Sequence, residues 1–248
     1  MILFCVAGVQ MATCATISET AQVIARYLRK AADRGAQVLL TPEMILVGYR
    51  GDYDRRVRDQ AIRDILGPAC RRYQISLLLG TGTHRGKGKP FNQLLMLNSR
   101  GDQAWAYSKV LPTPSDLKMF RKGALTNLKL RRIGGISCGT TICNDFWATP
   151  GYTDLPDPNT PKRLAGQGAR VIFQAIASGS DLSLVDFHTR RLEDSAARFG
   201  LWVVTANAIP GPGRPVNAPS GIVGPDGNWL TRLPAKGERM YVETIRVT

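Results

Sequence analysis

With 248 residues, 44% of them hydrophobic, the chain has enough apolar side chains to bury a substantial core and to fold without staples. Its five cysteines are odd in number and show neither CxxC nor Cys/His spacing, which argues against a disulfide framework or a structural zinc site and points to reduced thiols in a cytoplasm. The formal charge of +14 keeps nucleic acid or an acidic partner in view, but the basic clusters RRVRD, HRGKGK, FRKGA and LKLRRIGG are scattered. No recognition-helix, zinc-finger or aromatic RNA-platform pattern accompanies them, so they read as an arginine-rich solvated surface and nucleic acid is set aside as a partner.

In chain order, ILFCVAGVQ reads as a strand. The opening MILFCVAGVQMATC lacks a basic n-region and runs into polar residues, which makes it a first strand rather than a signal peptide. No apolar run reaches membrane-spanning length. TISETAQVIARYLRKAADRG follows as a helix, with Thr16 and Glu19 at capping-box spacing, Ala21, Ile24, Ala25, Leu28 and Ala32 on one face, and Gly35 closing it. AQVLLTPE is the next strand, so the chain opens β-α-β with Glu43 at the second strand's carboxyl end. A helix in RDQAIRDILGPACRRY and a strand in ISLLLGTGT repeat the alternation. A hairpin over NQLLMLNSRGDQAWAYSK and an apolar segment ending at Cys143 come next. PKRLAGQG, ARVIFQAI, LVDFHTRRLEDSAARFG and LWVVTANA alternate helix and strand again, and SGIVGPDGNWLTRL and ERMYVETIRV supply closing strands. No linker-like stretch or internal repeat interrupts residues 1–248, which predicts one domain of the α/β class with a mixed sheet, since hairpins break the alternation.

Three reactive side chains fall just after apolar strands: Glu43 in LLTPEMILVGY, Lys109 in AWAYSKVLP and Cys143 in TTICNDFW. Open α/β sheets place their chemistry at strand carboxyl ends. Singly, each has an ordinary explanation: a glutamate after proline starts a helix, a lysine after a strand is solvated, and a cysteine is a small core residue. Together they form a usable set. A carboxylate can take a thiol's proton, and an ammonium beside both can lower the thiol pKa and hold a developing oxyanion. Cys138, inside the apolar run, reads as core, and Cys5, Cys14 and Cys70 as core or incidental.

These residues resemble the nitrilase superfamily, the carbon-nitrogen hydrolases with a Glu-Lys-Cys triad. PEMILVGY matches the family's Pro-Glu and Gly-Tyr pattern, Lys109 ends a YxK, and GTTICND matches GxxICxD. Asn92, Phe120 and Gly123 in FRKG, Gly168-Ala169, Asn207 in VVTAN, and SGIVGPDGNWL keep the family's order over nearly the whole chain. The resemblance implies a four-layer α-β-β-α sandwich with two mixed sheets, commonly assembled into homo-oligomers. It also implies Glu43 as general base and acid, Lys109 as oxyanion stabiliser, Cys143 as nucleophile and the Asn144 backbone N–H as a second oxyanion donor, with no metal or organic cofactor. The substrate class implied is a small amide.

The departures from the family pattern bear on specificity. Asp116 stands where members usually carry a second glutamate, so its reach toward Lys109 is open. The Cys-Asn-Asp start is similar to that of N-carbamoyl amino acid hydrolases, yet the arginine pair that follows in those enzymes is replaced by Phe146 and Trp147, which weakens the case for a carboxylate-bearing substrate. DFW and KVLP are reminiscent of the glutaminase half of glutamine-dependent NAD synthetases. Nitrilases proper usually have Trp-Glu after the cysteine, which disfavours a nitrile. The expectation is a thiol amidohydrolase acting on a small neutral carboxamide, with an N-carbamoyl hydrolase or a basic, non-catalytic binding protein on the same scaffold as alternatives.

Two decoys accompany the motif. GTGTHRGKGKP has the look of a phosphate loop but no GxxxxGK[ST] register, and Pro90 sits where a helix should begin, so it reads as a hairpin loop. His84 and His188 are the only histidines. A Cys143-His188 dyad is conceivable, but His188 falls in an amphipathic helix where a surface or packing role is the default.

Overall fold

The computed structural model describes residues 1–84 and 86–248. In the first half of the chain, β1 (Ile2–Gln10), β2 (Val38–Leu40), β3 (Ser76–Thr83), β4 (Phe91–Leu97) and β5 (Gln103–Ser108) lie side by side in sequence order. A second sheet follows from β6 (Arg131–Ile133), β7 (Ile136–Ile142), β8 (Val171–Ile176), β9 (Trp202–Asn207), β10 (Gly221–Val223) and β11 (Trp229–Arg232). The last strand, β12 (Arg239–Val247), returns to the first sheet and pairs antiparallel along the whole of β1, Ile2 opposite Val247 and Gln10 opposite Arg239.

Both sheets are mixed, and their pairings run in the same order. β12/β1 is antiparallel, β1/β2 and β2/β3 are parallel, and β3/β4 and β4/β5 are antiparallel. From β6 to β11 the series is again antiparallel, two parallel, two antiparallel. The parallel strands β1, β2 and β3 thus correspond to β7, β8 and β9. Their carboxyl ends meet across the two sheets, where Met11 bridges Ala208 and the Glu43 N–H donates to the Ile176 carbonyl at 3.3 Å.

The period of two along each strand sorts its side chains into layers. Phe4, Val6, Val38, Leu40 and Leu78 face the second sheet, packing with Val171, Phe173 and Val203, and Phe4 meets Phe173 edge to face at 6.3 Å. The alternate residues Ala7, Val9, Leu39, Leu77 and Leu79 face outward onto helices α1 (Ile17–Ala32), α2 (Arg55–Ala61) and α3 (Gly67–Tyr73). Between α2 and α3 lies a π-turn over Ile62–Leu66, where the sequence predicts one continuous helix. Pro68 has no N–H and its ring crowds the preceding turn, so the register widens there. Beyond α4 (Pro114–Met119) and the single turn α5 (Asn144–Trp147), helices α6 (Thr160–Gly166) and α7 (Val185–Phe199) cover the second sheet through Leu164, Leu192 and Ala196. The result is the four-layer α-β-β-α sandwich.

Local expectations hold where they rest on local signals. The Thr16–Glu19 capping box forms in both directions. In GTGTHRGKGKP the first four residues complete β3 and the remainder joins it to antiparallel β4, as a hairpin connection; Arg85 lies outside the described residues. Among the described residues no helix is long and apolar enough to cross a membrane.

Candidate active site

Each of the three strand-end residues is aimed by a close backbone approach. After β2 the chain crosses β3 at Gly80. Thr41 Oγ1 accepts from the Gly80 N–H at 3.0 Å, the Leu46 N–H donates to the Gly80 carbonyl at 3.1 Å, and a Cβ on Gly80 would lie 1.8 Å from the Pro42 oxygen. Only glycine lets Pro42 and Glu43 sit this low, which leaves Glu43 2% exposed. Lys109 follows β5 and is held the same way from the FRKG segment: the Gly123 N–H donates to the Lys109 carbonyl at 2.7 Å, and a Cβ on Gly123 would stand 2.5 Å from the Ser108 oxygen. Cys143 occupies the turn from β7 into α5 with φ 46° and ψ −110°. That conformation is rare for a residue with a side chain and is held by its neighbours: the Cys143 N–H donates to the Ala175 carbonyl at 2.8 Å and its carbonyl accepts from Gln174 Nε2 at 2.8 Å.

The side chains converge on Lys109. Its Nζ lies 2.8 Å from Glu43 Oε1, 2.9 Å from Asp116 Oδ2 and 3.5 Å from the Tyr49 hydroxyl. Asn92 Nδ2 donates to the same Glu43 Oε1 at 2.7 Å, whereas Glu43 Oε2 is buried with no hydrogen-bond partner among the described residues. Asp116 reaches Lys109 despite being one methylene shorter than glutamate, because it is the third residue of α4 and closes a capping box with Thr113. Tyr49, two-fifths exposed at the rim, turns its hydroxyl inward to donate to Asp116.

The electrostatics correct one expectation, that a neighbouring ammonium lowers the thiol pKa. Burial pushes the Cys143 thiol well above its ordinary value, and Glu43 adds to this more than Lys109 offsets it. Burial likewise raises Glu43 against the pull of Lys109. For Lys109 burial opposes the charge, but Glu43, Tyr49 and Asp116 overcome it and hold the ammonium firmly protonated. Asp116 is lowered, burial being outweighed by Lys109 and Tyr49. One ammonium already serves two carboxylates, so a resting thiolate would add a second net negative charge in a poorly solvated place.

Asp145 is a participant the strand-end logic does not single out, although it stands in the GxxICxD match. Wholly buried, it accepts from the backbone of Val110 (2.9 Å), Leu111 (2.6 Å) and Ile142 (3.1 Å) and from the Tyr107 hydroxyl (2.8 Å). Burial raises it to about 6, with Lys109 and these donors holding it down. Asn144 is the first residue of α5, so its backbone N–H has no acceptor within the helix; its side chain is engaged with the Thr149 N–H at 2.8 Å and the Leu111 carbonyl at 3.4 Å.

Cys143 and Lys109 open onto a cavity of about 400 Å³, walled by Trp147, Thr149, Tyr152 and His188 among others. Among the described residues Lys109 is its only charged lining side chain. His188 is buried and stacks on Trp147 with ring centres 4.3 Å apart. Its Nδ1 is 3.1 Å from the Asn217 carbonyl oxygen and must carry the hydrogen, which leaves Nε2 an acceptor toward Thr149 at 3.4 Å. Burial lowers its pKa, so the ring is neutral. The histidine dyad does not form: both ring nitrogens are committed elsewhere, and the packing role holds. Asn207, in VVTAN, donates to Ser178 on the cavity wall at 2.8 Å. Among the described residues no group of three His, Cys, Asp or Glu side chains is placed to hold a metal ion.

Comparison with known proteins gives the same frame. The carbon-nitrogen hydrolase family model matches residues 5–247. A glutamine-dependent NAD(+) synthetase from Synechocystis sp. is 24% identical over 219 residues, which is 80% of this chain and 38% of that protein, so the chain spans less than two-fifths of that relative's length. Among solved structures, a cysteine-to-alanine mutant of an amidase from Nesterenkonia sp. AN1, described as of the nitrilase superfamily, superposes with a TM-score of 0.82 at 21% identity, covering 98% of this chain and 90% of that one. A glutamate-to-glutamine mutant of the same amidase, with the acetamide moiety of fluoroacetamide covalently added at its active-site cysteine, matches equally well.

Proposed function

The chain belongs to the carbon-nitrogen hydrolase family, and from that premise we propose that it is a thiol amidohydrolase cleaving a small neutral carboxamide to acid and ammonia. The observation that carries the reading is the division of labour within Glu43: Oε1 is taken by Lys109 and Asn92, while Oε2 is buried and free to accept a proton.

In this reading the Cys143 sulfur attacks the amide carbonyl as its proton passes to Glu43. The carbon–sulfur bond forms, and the carbonyl electron pair moves onto oxygen. Lys109 Nζ and the Asn144 backbone N–H receive that oxyanion. Lys109 can do so by releasing its longest contact, the 3.5 Å one to Tyr49, while Glu43 and Asp116 keep the ammonium in place. On collapse the carbon–nitrogen bond breaks and Glu43 returns its proton to the departing ammonia. Water, deprotonated by Glu43, then attacks the thioester, the carbon–sulfur bond breaks and the thiol recovers its proton. The raised thiol pKa fits a proton that moves with the attack rather than before it.

Substrate neutrality is supported by the cavity wall. Lys109 is already paired twice, His188 is neutral, and Trp147 stands where the N-carbamoyl amino acid hydrolases that the sequence resembles carry arginine, so no described side chain of the wall would pair a substrate carboxylate. The Cys143-Asn144-Asp145 run keeps an N-carbamoyl compound as the second reading. Ammonia release from a panel of aliphatic and aromatic carboxamides, N-carbamoyl amino acids and nitriles decides the matter: turnover is expected on neutral carboxamides. Turnover confined to N-carbamoyl compounds would establish the second reading, and a salt-dependent nucleic-acid shift with no turnover on any of them would favour a binding protein.

A further inference from the structure

Three of the four basic clusters in the sequence converge on one face. Arg55 and Arg58 come from RRVRD on α2, His84 from HRGKGK at the end of β3, and Arg121 from FRKGA. His84 Nδ1 lies 2.7 Å from Arg55 Nη2 and 3.2 Å from the Gly88 carbonyl oxygen, and Arg58 donates from Nη2 to Thr83 Oγ1 at 3.0 Å and from Nη1 to Asp59 at 2.6 Å. Arg121 stands over the Phe91 ring at 5.9 Å and donates to the Lys87 carbonyl.

Between α2 and the end of β3 lies a pocket of about 210 Å³, lined by Tyr53, Arg55, Arg58, Asp59, Gly82, Thr83 and His84. It shares no lining residue with the cavity over Cys143. Two of its polar atoms are buried with no partner among the described residues: the hydroxyl of Tyr53, a residue 7% exposed, and Nε of Arg58, a residue 8% exposed. Buried donors left unpaired are costly and uncommon in folded proteins.

The donor inventory identifies what would satisfy them. An arginine N–H can only donate, and a tyrosine hydroxyl can donate as well as accept. Tyr53, Arg55 and Arg58 therefore present donors, and among the described residues Asp59, already paired with Arg58, is the one acidic side chain in the lining. A pocket of donors with two guanidinium groups calls for a ligand made of acceptors.

We propose that this pocket binds a small tetrahedral oxyanion, inorganic phosphate or the phosphate group of a monoester. Tyr53 and Arg58 Nε supply the buried hydrogen bonds and Arg55 the charge at the mouth.

Calorimetric titration of the intact chain with inorganic phosphate, at constant ionic strength, tests the site. Saturable binding of one phosphate per chain is expected. Arg55→Gln, a change at an exposed side chain, should weaken it about tenfold or more, and Tyr53→Phe, which keeps the ring, by about three- to tenfold. Lys30→Gln, on the solvent face of α1, should leave it unchanged. A simple phosphate monoester should compete with inorganic phosphate. The absence of saturable phosphate binding, or equal affinity in the wild type, Arg55→Gln and Tyr53→Phe, would overturn the proposal. So would binding of a short oligonucleotide that phosphate fails to displace, which would point to an extended basic face instead.

Discussion

Asp145, two residues past Cys143, accepts a 2.6 Å hydrogen bond from the backbone N–H of Leu111, two residues past Lys109. The same oxygen takes the Val110 N–H, and its partner oxygen takes Ile142 and Tyr107. One buried carboxylate thus fastens the end of β7 in the second sheet to the end of β5 in the first. KVLP and DFW, separated by more than thirty residues, are the two halves of a clamp that sets the Lys109–Cys143 relationship.

Replacing Asp145 by Asn should loosen that clamp. The amide offers a single acceptor oxygen, and its NH₂ would face two donors, Ile142 N–H and Tyr107 O–H. A loss of about 1–3 kcal/mol in stability is expected, with turnover reduced about tenfold or more because small displacements of reacting groups are expensive. Urea unfolding and amide turnover on the same preparation check both. A variant of unchanged stability and rate would show the clamp to be incidental.

Asp116→Asn should lower turnover about tenfold or more while moving the melting temperature little, since the Thr113 cap can still form but Lys109 loses one of its two carboxylates. Tyr49→Phe should have a milder effect of the same sign. Asp116→Glu has no spare room at a fully buried position, and stability should fall by about 1–3 kcal/mol. Full activity in Asp116→Asn would remove Asp116 from any positioning role.

Cys143→Ala should abolish turnover, whereas Cys138→Ala, which empties a small volume in β7, should cost on the order of 1 kcal/mol and leave activity. With a substrate that deacylates slowly, the wild type should release a burst of ammonia and gain the mass of the acyl group on the peptide containing TTICNDFW. Burst and adduct should both disappear in Cys143→Ala. Equal residual activity in the two alanine variants would contradict the nucleophile assignment.

Alkaline stability should report the buried thiol of Cys138. Burial raises it from 9.0 to about 12. Between those values the unfolded chain releases the thiol proton while the folded chain keeps it, so the folded state binds more protons and stability falls as pH rises from 9 toward 12. Cys138→Ala should therefore lose stability less steeply across that window, by about 1.4 kcal/mol per pH unit. Identical slopes in chemical-denaturation series from pH 8 to 11 would mean that the folded-state thiol titrates normally.

The sequence by itself determined whatever depends on near neighbours in the chain. The capping box at Thr16 and Glu19, the apolar faces of α1 and the strands, and the order of strands and helices all rest on interactions within a few residues. So does the placing of Glu43, Lys109 and Cys143 each at the end of an apolar strand. The tertiary structure alone decided what those ends do together. The matched pairing orders bring the carboxyl ends of the parallel strands of both sheets to one place, and the Thr113 cap swings Asp116 onto Lys109. Burial beside two carboxylates turned the Cys143 pKa upward, where a pairwise view of thiol and ammonium gives a fall. Asp145, His188 and the basic pocket likewise acquire partners from segments remote in sequence. Their distances and their desolvation come from how the layers pack, and no local pattern encodes either.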